Sequence, residues 1–495
     1  MNTSISTVIN PMSLLESIVH VPVDIDKALQ RVGSNSKYQY LVALCAALIW
    51  WSANSFTIGL GYDMILPDLR CRDGSECSYS RACREGGYTY ISTGLHNMAY
   101  DWDLVCARQY LGSLIGVANF LGIALGSLLA SYMTNACGRK KAALTGMTMQ
   151  LIGQIAAYFT PSAEIMIAVS CELGISLGLA TMGIFVLLLE MTDSDHRSWF
   201  VGIMFASCSL AGITQPGLFY LCSDWRQVLL PYIFLTALAI PLLCVIHESV
   251  RYLAVNLHDK EATLKAFEAI ARFNGREGAA TNMHFPAIKV EPEISSFKDL
   301  FSSWKLIYRV VALGILQIMM NLGYYGVYYA IPSYFGNIYV NGVIIGLGEM
   351  IPFLASGRLI GKVPRKLSNF TALLGQGVVL LLAWACLHLS CSTDCALRNW
   401  VQTSLLFLGV FMVASYCVAM ATLSTEAFNS HTRGPAIGLL NGVAMLGGAL
   451  STLLVLIQTN YDIPPLIMIG GAACASTLLI FTLPETLGRH MEECS

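Results

Sequence analysis

Two charged pairs at matched spacing stand out in a chain otherwise short of charge. Glu190 is followed at +7 by Arg197 and Glu426 at +7 by Arg433, with Ser at +4 and Gly at +12 (Gly202, Gly438) in both copies. A carboxylate and a guanidinium placed this way do electrostatic work: paired between helices, they give a gate two discrete states. Two further carboxylates, Glu172 and Glu349, sit inside apolar runs, where ionisable groups are costly and are default functional candidates. Four cysteines, Cys71, Cys77, Cys83 and Cys106, fall in one polar stretch. In an oxidising space they suggest two disulfides, with three pairings open. A zinc site is the weaker reading, because there is no Cys-x-x-Cys pair. Cys391 and Cys395 are candidates for a third bridge.

The elements that must position these groups follow from composition. The 495 residues are 55% hydrophobic and only 12% charged, with a net charge of −2. Soluble chains are about 25% charged, so lipid must be the solvent for much of this one. The near-neutral balance gives nucleic acid no footprint. No nucleotide-binding loop, catalytic triad or metal motif appears, so neither an enzyme nor a cofactor is expected. Twelve apolar stretches are long enough to cross a bilayer: about 40–62, 110–133, 141–160, 164–189, 199–222, 227–246, 308–331, 337–358, 370–390, 401–425, 434–458 and 464–484. Backbone polar groups must be satisfied inside lipid, so the spans are helices and the fold class is all-α.

The two Glu/Arg copies lie roughly 235 residues apart, each joining two spans. This is read as an internal duplication, two related six-helix bundles. The division is a segment 1–39, a first bundle 40–246 with a loop 67–109, a linker 247–307, a second bundle 308–485 and a tail 486–495. Residues 1–39 lack the features of a signal peptide, and span one would serve as the insertion signal. Lys and Arg gather between even-numbered and odd-numbered spans, which puts both termini in the cytosol and the 67–109 loop outside. In the linker, Leu264, Phe267, Ile270 and Ala271 recur at helical spacing within 259–273, predicting an amphipathic helix; Gly275–Pro292 reads as flexible.

Substrate candidates come from the same spans. Glu349 lies just past the middle of span eight, roughly 18 Å below its outer end at 1.5 Å per residue. Span seven carries Tyr324, Tyr325, Tyr328 and Tyr329. Aromatic faces attract quaternary and protonated amines, which suits Tyr325 as a cavity residue. Tyr328 and Tyr329, nearer the span's end, read as an interfacial belt. Trp50, Trp51, Gln215 and Tyr220 are weaker cavity candidates. The spacings Gly122-x-x-x-Gly126, Gly174-x-x-x-Gly178 and Gly434-x-x-x-Gly438-x-x-x-Gly442 allow helices to approach closely.

Several motifs, in order, resemble one family. Trp102-Asp-Leu-Val-Cys106, Asp224-Trp-Arg226, Glu248-Ser-Val-Arg251, Tyr324-Tyr-Gly326, Glu349-Met-Ile-Pro352 and Pro484-Glu-Thr-Leu-Gly-Arg489 look like the organic cation, anion and zwitterion transporters of the major facilitator superfamily. The resemblance covers about residues 24–490. It implies movement of small organic ions across the plasma membrane by alternating access. It also implies an acidic cavity residue at Glu349 and a lock on the cytosolic face that includes Arg139. The superfamily motif departs here: Asn135 and Ala136 stand where the family has an acid and an arginine, and Gly361-Lys-Val-Pro364-Arg365-Lys366 also lacks its acid. A weakened lock is expected. In span eleven Met445 occupies the position where cation carriers of this family tend to have Asp and anion carriers Arg. The remaining deep charges are carboxylates, so the expectation is a carrier of an organic cation or an uncharged amphiphile. The alternative is a non-transporting relative that binds a ligand or partner. The sequence leaves the oligomeric state open.

Overall fold

The computed structural model describes residues 25–486 apart from 75, 78, 92–94, 223, 281–299, 335, 360–362, 389–394, 429 and 462. Its frame is twelve long helices: α1 Lys37–Asp63, α2 Gln109–Ala136, α3 Arg139–Phe159, α4 Ala163–Glu190, α5 Ser194–Leu221, α6 Trp225–Val245, α7 Trp304–Tyr329, α8 Ile338–Leu359, α9 Arg365–His388, α10 Cys395–Glu426, α11 Ser430–Tyr461 and α12 Pro465–Thr482. Each overlaps one expected span. Eleven are apolar enough to cross a membrane by hydropathy alone. The twelfth, α3, carries Gln150 and Gln154, both buried among its neighbours, and these lower its hydropathy. Several buried polar side chains bond to carbonyls of their own helix. In α1, Ser55 Oγ donates to the Ser52 carbonyl at 2.7 Å and Asn54 Nδ2 to that of Trp50 at 2.8 Å.

Helices α1–α6 and α7–α12 form two bundles with matching contacts. In the first α2 and α3 pack on α4; in the second α8 and α9 pack on α10. The bundles meet along two seams, α2 against α11 and α5 against α8, which the duplication exchanges. Small residues make the tight seams. Gly122 and Gly126 of α2 interlock with Gly174 and Gly178 of α4: a Cβ on Gly178 would lie 2.6 Å from the Ile123 carbonyl oxygen, and one on Gly174 2.9 Å from the Ile123 nitrogen. Between the bundles, Gly346 of α8 faces the backbone of Gly212 and Ile213 on α5. On α11, Gly438 faces Ser131 and Gly442 faces Leu128 of α2.

Each end of the frame carries a small folded cap. At one end, residues 69–90 form a three-stranded antiparallel sheet in the order β2–β1–β3 (Glu76–Cys77, Leu69–Arg70, Thr89–Tyr90). Cys83 and Cys106 are disulfide-bonded, and Cys71 is disulfide-bonded as well. Cys391 and the side chains of Cys77 and Cys395 lie outside the described residues. Two quoted motifs meet here. The Trp102 and Trp225 rings pack edge to face at 5.5 Å, Trp225 Nε1 donates to Asp101 at 2.9 Å, and Arg226 pairs with Asp101.

At the opposite end the amphipathic linker helix forms over Lys260–Phe273, capped by Asp259, and buries Phe267, Ile270 and Ala271; Leu264 is only half-buried. Of the stretch read as flexible, Gly275–Pro292, residues 281–292 lie outside the described residues. A helix the sequence reading missed, Ile25–Val32, covers the linker helix. Its Ile25, Ala28, Leu29 and Val32 repeat at helical spacing and are buried. Asn274 ties the two together: its Nδ2 donates to the Val32 carbonyl and its Oδ1 accepts from the Tyr38 nitrogen, both at 2.9 Å.

The α2–α4 seam leaves no room for a side chain. Gly174→Leu is expected to lower the melting temperature of the detergent-solubilised protein by about 2 °C or more, because overpacking against backbone cannot relax by a rotamer change. Gly471→Leu, on an open face with nothing within 4 Å of its Cβ, should leave it unchanged.

Candidate functional site

Charge is concentrated in two equivalent nodes at the end that carries the linker. In the first, α3 begins at Arg139 beside the last residue of α4. Arg139 Nε and Nη2 donate to the two oxygens of Glu190, both at 2.9 Å, and Nη1 donates to the Thr134 carbonyl at 2.9 Å. Glu248 Oε1 accepts from the backbone nitrogens of Arg139 and Lys140 at 3.0 Å and of Ser249 at 2.9 Å. Ser249 Oγ donates to Glu190, and Tyr252 lies under the Arg139 guanidinium at 4.5 Å. A carboxylate at a helix N-terminus meets free N–H donors and the positive end of the helix dipole, so Glu248 caps α3.

The second node repeats the first. Arg365, at the start of α9, donates to both oxygens of Glu426 at the end of α10, at 2.9 and 3.0 Å. Glu485 accepts from the nitrogens of Arg365 at 2.9 Å and Lys366 at 3.1 Å, and Thr486 Oγ1 donates to Glu426 at 2.6 Å. Even the lysines agree: Lys140 Nζ donates to the Cys244 carbonyl at 2.7 Å and Lys366 Nζ to the Phe481 carbonyl at 3.0 Å. Beside the first node, His247 stacks on Tyr38. Burial, then the charge of Lys140, push its imidazole below its ordinary pKa.

Glu190 and Arg197, singled out by their spacing, do not pair with each other in this conformation. The turn into α5 sends the Arg197 guanidinium to the carbonyls of Leu189 and Thr192, 3.2 and 3.4 Å away, and it reaches Asp26 only at 3.9 Å. Arg433 lies in α11, and its side chain is outside the described residues.

The other site is at the middle of the frame. Glu349 of α8 is fully buried. The hydroxyls of Tyr324 and Tyr328 on α7 and of Ser209 on α5 face its carboxyl group. None reaches hydrogen-bonding geometry: both Glu349 oxygens, Ser209 Oγ and Tyr328 OH have no hydrogen-bond partner among the described residues. Cys208 of α5 and Cys417 of α10 complete the surroundings. One helical turn away on each helix, Phe205 and Phe353 stack at 5.8 Å, closing the compartment towards the nodes. On the other side Tyr328 packs into the space left by Gly212 and Gly61.

Tyr325 packs edge to face on Phe120 at 4.6 Å and on Tyr324 at 5.0 Å, so it belongs to this aromatic wall. Tyr328 and Tyr329 are not an interfacial belt. Both are buried, and Tyr329 OH donates to the Thr57 carbonyl at 2.8 Å, bridging α7 to α1 across the bundles. The close approach of α1 and α7 at this end encloses what the sequence places near an interface. Tyr220 is exposed, 69% accessible, against Tyr339. Gln215 is buried and donates to the Ser55 carbonyl at 2.6 Å, a bond from α5 to α1 inside the first bundle. Trp51 bonds Thr214 at 3.2 Å, and Trp50 packs edge to face on Phe205. Met445 of α11 is half-buried against the central core. Glu172 does not join Glu349. It faces Gly153 on α3, in the α3–α4 seam, and its Oε2 has no hydrogen-bond partner among the described residues.

Sequence reasoning missed the roles of Glu248, Ser249, Glu485 and Thr486 in the nodes. The signal was present: Glu248-Ser and Glu485-Thr stand at the spacing of the duplication, as Glu190 and Glu426 do. It missed Ser209 and the central positions of Tyr324 and Tyr328, for which no local signal exists.

Comparisons with known proteins agree with this layout. A model of the Major Facilitator Superfamily matches residues 84–452. The chain is similar to organic cation/carnitine transporter 2 of Homo sapiens, 25% identical over 459 residues that cover 89% of this chain and 77% of that one. It is 23% identical over 437 residues to solute carrier family 22 member 6 of Oryctolagus cuniculus, covering 86% and 77%. It is 26% identical over 420 residues to solute carrier family 22 member 7 of Bos taurus, covering 83% and 75%. Among solved structures, a partially occluded inward-open conformation of the xylose transporter XylE from E. coli shares the fold, with a TM-score of 0.68 at 16% identity over 92% of this chain and 99% of that one.

Breaking a buried pair by removing one partner leaves an uncompensated charge and costs about 3–5 kcal/mol. Glu190→Gln and Glu426→Gln should each produce a clear drop in melting temperature of the purified protein. Arg197→Ala, which loses only long contacts to carbonyls and a 3.9 Å approach to Asp26, should change it little.

Proposed function

The chain belongs to the major facilitator superfamily and is an alternating-access carrier of small organic solutes; we propose that it takes an organic cation, or an uncharged amphiphile, at Glu349 between its two bundles. The observation that carries this reading is a fully buried carboxyl group at the middle of the frame with no positive partner among the described residues. An organic cation supplies the missing charge. The hydroxyls of Ser209, Tyr324 and Tyr328 give polar contacts, and the rings of Tyr324 and Tyr325 give faces for an ammonium group. An organic anion would meet a carboxyl group there.

Orientation and place follow from the same reading. The nodes, Lys140, Lys366 and the linker lie at one end, and the disulfide-bonded cap lies at the other. Excess Lys and Arg favour the cytosol and disulfides an oxidising space, so both termini are cytosolic and the cap is outside, at the plasma membrane. The Phe205–Phe353 stack is then the inner closure, and Tyr328 and Tyr329 form the outer one. The nodes act as the lock on the cytosolic side, each clamping the start of one helix to the end of the next. The alternative, a relative that binds without carrying, rested on the weakened motif at Asn135 and Ala136. Each node closes without those two residues.

The test is uptake of a mixed panel of organic cations, anions and zwitterions by cells expressing the chain, beside Glu349→Gln at matched surface level. Saturable uptake of cations, reduced tenfold or more in the variant, is the expected result. Anion uptake that survives Glu349→Gln would overturn the assignment of both substrate class and site.

A further inference from the structure

Beside the contact that closes the cap end, the frame leaves a cavity of about 590 Å³, its open mouth included. It lies among α1, α2, α7 and α11, with Leu104 of the cap in its wall. The first bundle supplies Leu60, Gly61 and Met64 at the end of α1, and Gly112, Ser113 and Gly116 of α2. The second bundle supplies Tyr329 of α7 with Thr452 and Val455 of α11. Around the cavity the two bundles bond to each other. Ser113 Oγ donates to the Thr452 carbonyl at 3.3 Å, and Tyr329 OH to the Thr57 carbonyl at 2.8 Å. The cavity shares none of the side chains named around Glu349.

No residue lining the cavity is charged, so an ion would lose hydration there and find no partner. Its volume falls in the range of roughly 300–1,000 Å³ that holds small molecules. Gly61, Gly112 and Gly116 leave stretches of wall without side chains, and a flat body lies closest against such a wall. The Met64 thioether and the Tyr329 ring favour an aromatic neighbour. We propose that this cavity is a second ligand site, taking one small, flat, uncharged aromatic molecule, and that its occupant holds the two bundles together at the cap end. In alternating access the walls from α1 and α2 part from those of α7 and α11. A ligand that touches both walls loses one set of contacts when they part. It therefore binds this arrangement better than the parted one and shifts the carrier towards it. Transport slows, although the ligand does not compete with the carried solute. The site does not depend on the reading of Glu349.

The experiment uses the full chain in liposomes and, as probe, radiolabelled trifluoromethyl(iodophenyl)diazirine, an uncharged aromatic that bonds to its neighbours on illumination. Labelling should saturate, be displaced by excess non-radioactive probe, and map to peptides carrying Met64, Gly112 to Gly116, or Val455. Labelling at lipid-facing residues such as Leu121 and Leu125, both exposed, does not saturate and is the internal control. Gly112→Leu should weaken the saturable binding about tenfold or more. The new Cβ would lie 2.9 Å from Met64 Sδ and 3.7 Å from Leu104 Cδ1, the ends of flexible side chains that line the cavity, so leucine fills the space without striking backbone. Val455→Phe, from the opposite wall, should do the same. The wild-type labelling decides the matter even if neither variant folds. With any solute that the carrier takes up, the non-radioactive probe should lower the maximal rate and leave KM unchanged. Labelling that never saturates, or that saturates at lipid-facing residues alone, would overturn the site. A raised KM at unchanged maximal rate would put the probe in the path of the solute and overturn the clamp. Failure to take up any solute of the mixed panel would count against the reading of Glu349, and the labelling would still decide this site.

Discussion

The arrangement depends on how a chain surrounded by hydrocarbon handles the few charges it buries. At the two nodes the arginines are buried, the glutamates partly so, and all are answered: each arginine meets both oxygens of a glutamate, and a second carboxylate takes the helix N-terminal amides. In the middle a carboxyl group has no hydrogen-bond partner among the described residues, and an aromatic stack and a tyrosine wall close over it. Paired charge at one end fixes helices to one another, whereas an unpaired carboxyl at the centre leaves a place for something else. The first arrangement is structural and the second chemical, although both use the same residue type.

The duplication explains why the nodes repeat in such detail and why the centre does not. Each node joins the start of a bundle's third helix, the end of its fourth and the chain just past its sixth, so it is complete within one bundle. Copying a bundle copies the node. The Glu349 compartment draws on α5 from one bundle and α7, α8 and α10 from the other, so it exists once and is asymmetric by construction. The glycine seams fit the same division. Gly122, Gly126, Gly174 and Gly178 lock α2 to α4 within the first bundle, while Gly346 lets α8 approach α5 between bundles.

Much of the frame was legible in the sequence because lipid imposes a simple rule on length and apolarity, and all twelve long helices overlap their expected spans. The linker helix was legible from the spacing of Phe267, Ile270 and Ala271. The helix Ile25–Val32 has the same kind of spacing but is only eight residues long. Without a visible partner such a segment reads as a polar lead-in. The site was legible in part. An acid in an apolar run marks Glu349 from sequence alone, but its neighbours on three other helices cannot be read from spacing. In this conformation Glu190 meets Arg139, not Arg197, for a related reason. Residues seven apart across a turn are near in sequence, yet helix packing brings Arg139 closer from 51 residues away. Tyr328 and Tyr329 were misplaced because distance from a span's end says how deep a residue lies, not whether a neighbouring helix covers it.

The disulfide-bonded cap has a consequence for how the protein is made. Its anchor on the frame, Asp101 with Trp225 and Arg226, joins positions 124 and 125 residues apart in the chain. Ribosomes add about 5–20 residues per second, so the cap segment would wait roughly 6 to 25 s for the residues that hold it. Cys83 and Cys106 are only 23 residues apart and both precede α2, so they can bond as soon as the segment reaches an oxidising space. The bridge therefore acts first on a free segment, as a local constraint during synthesis, and only later becomes part of a fixed surface. A cell line with a slower oxidative pathway would accumulate chains whose helices are inserted but whose cap is open.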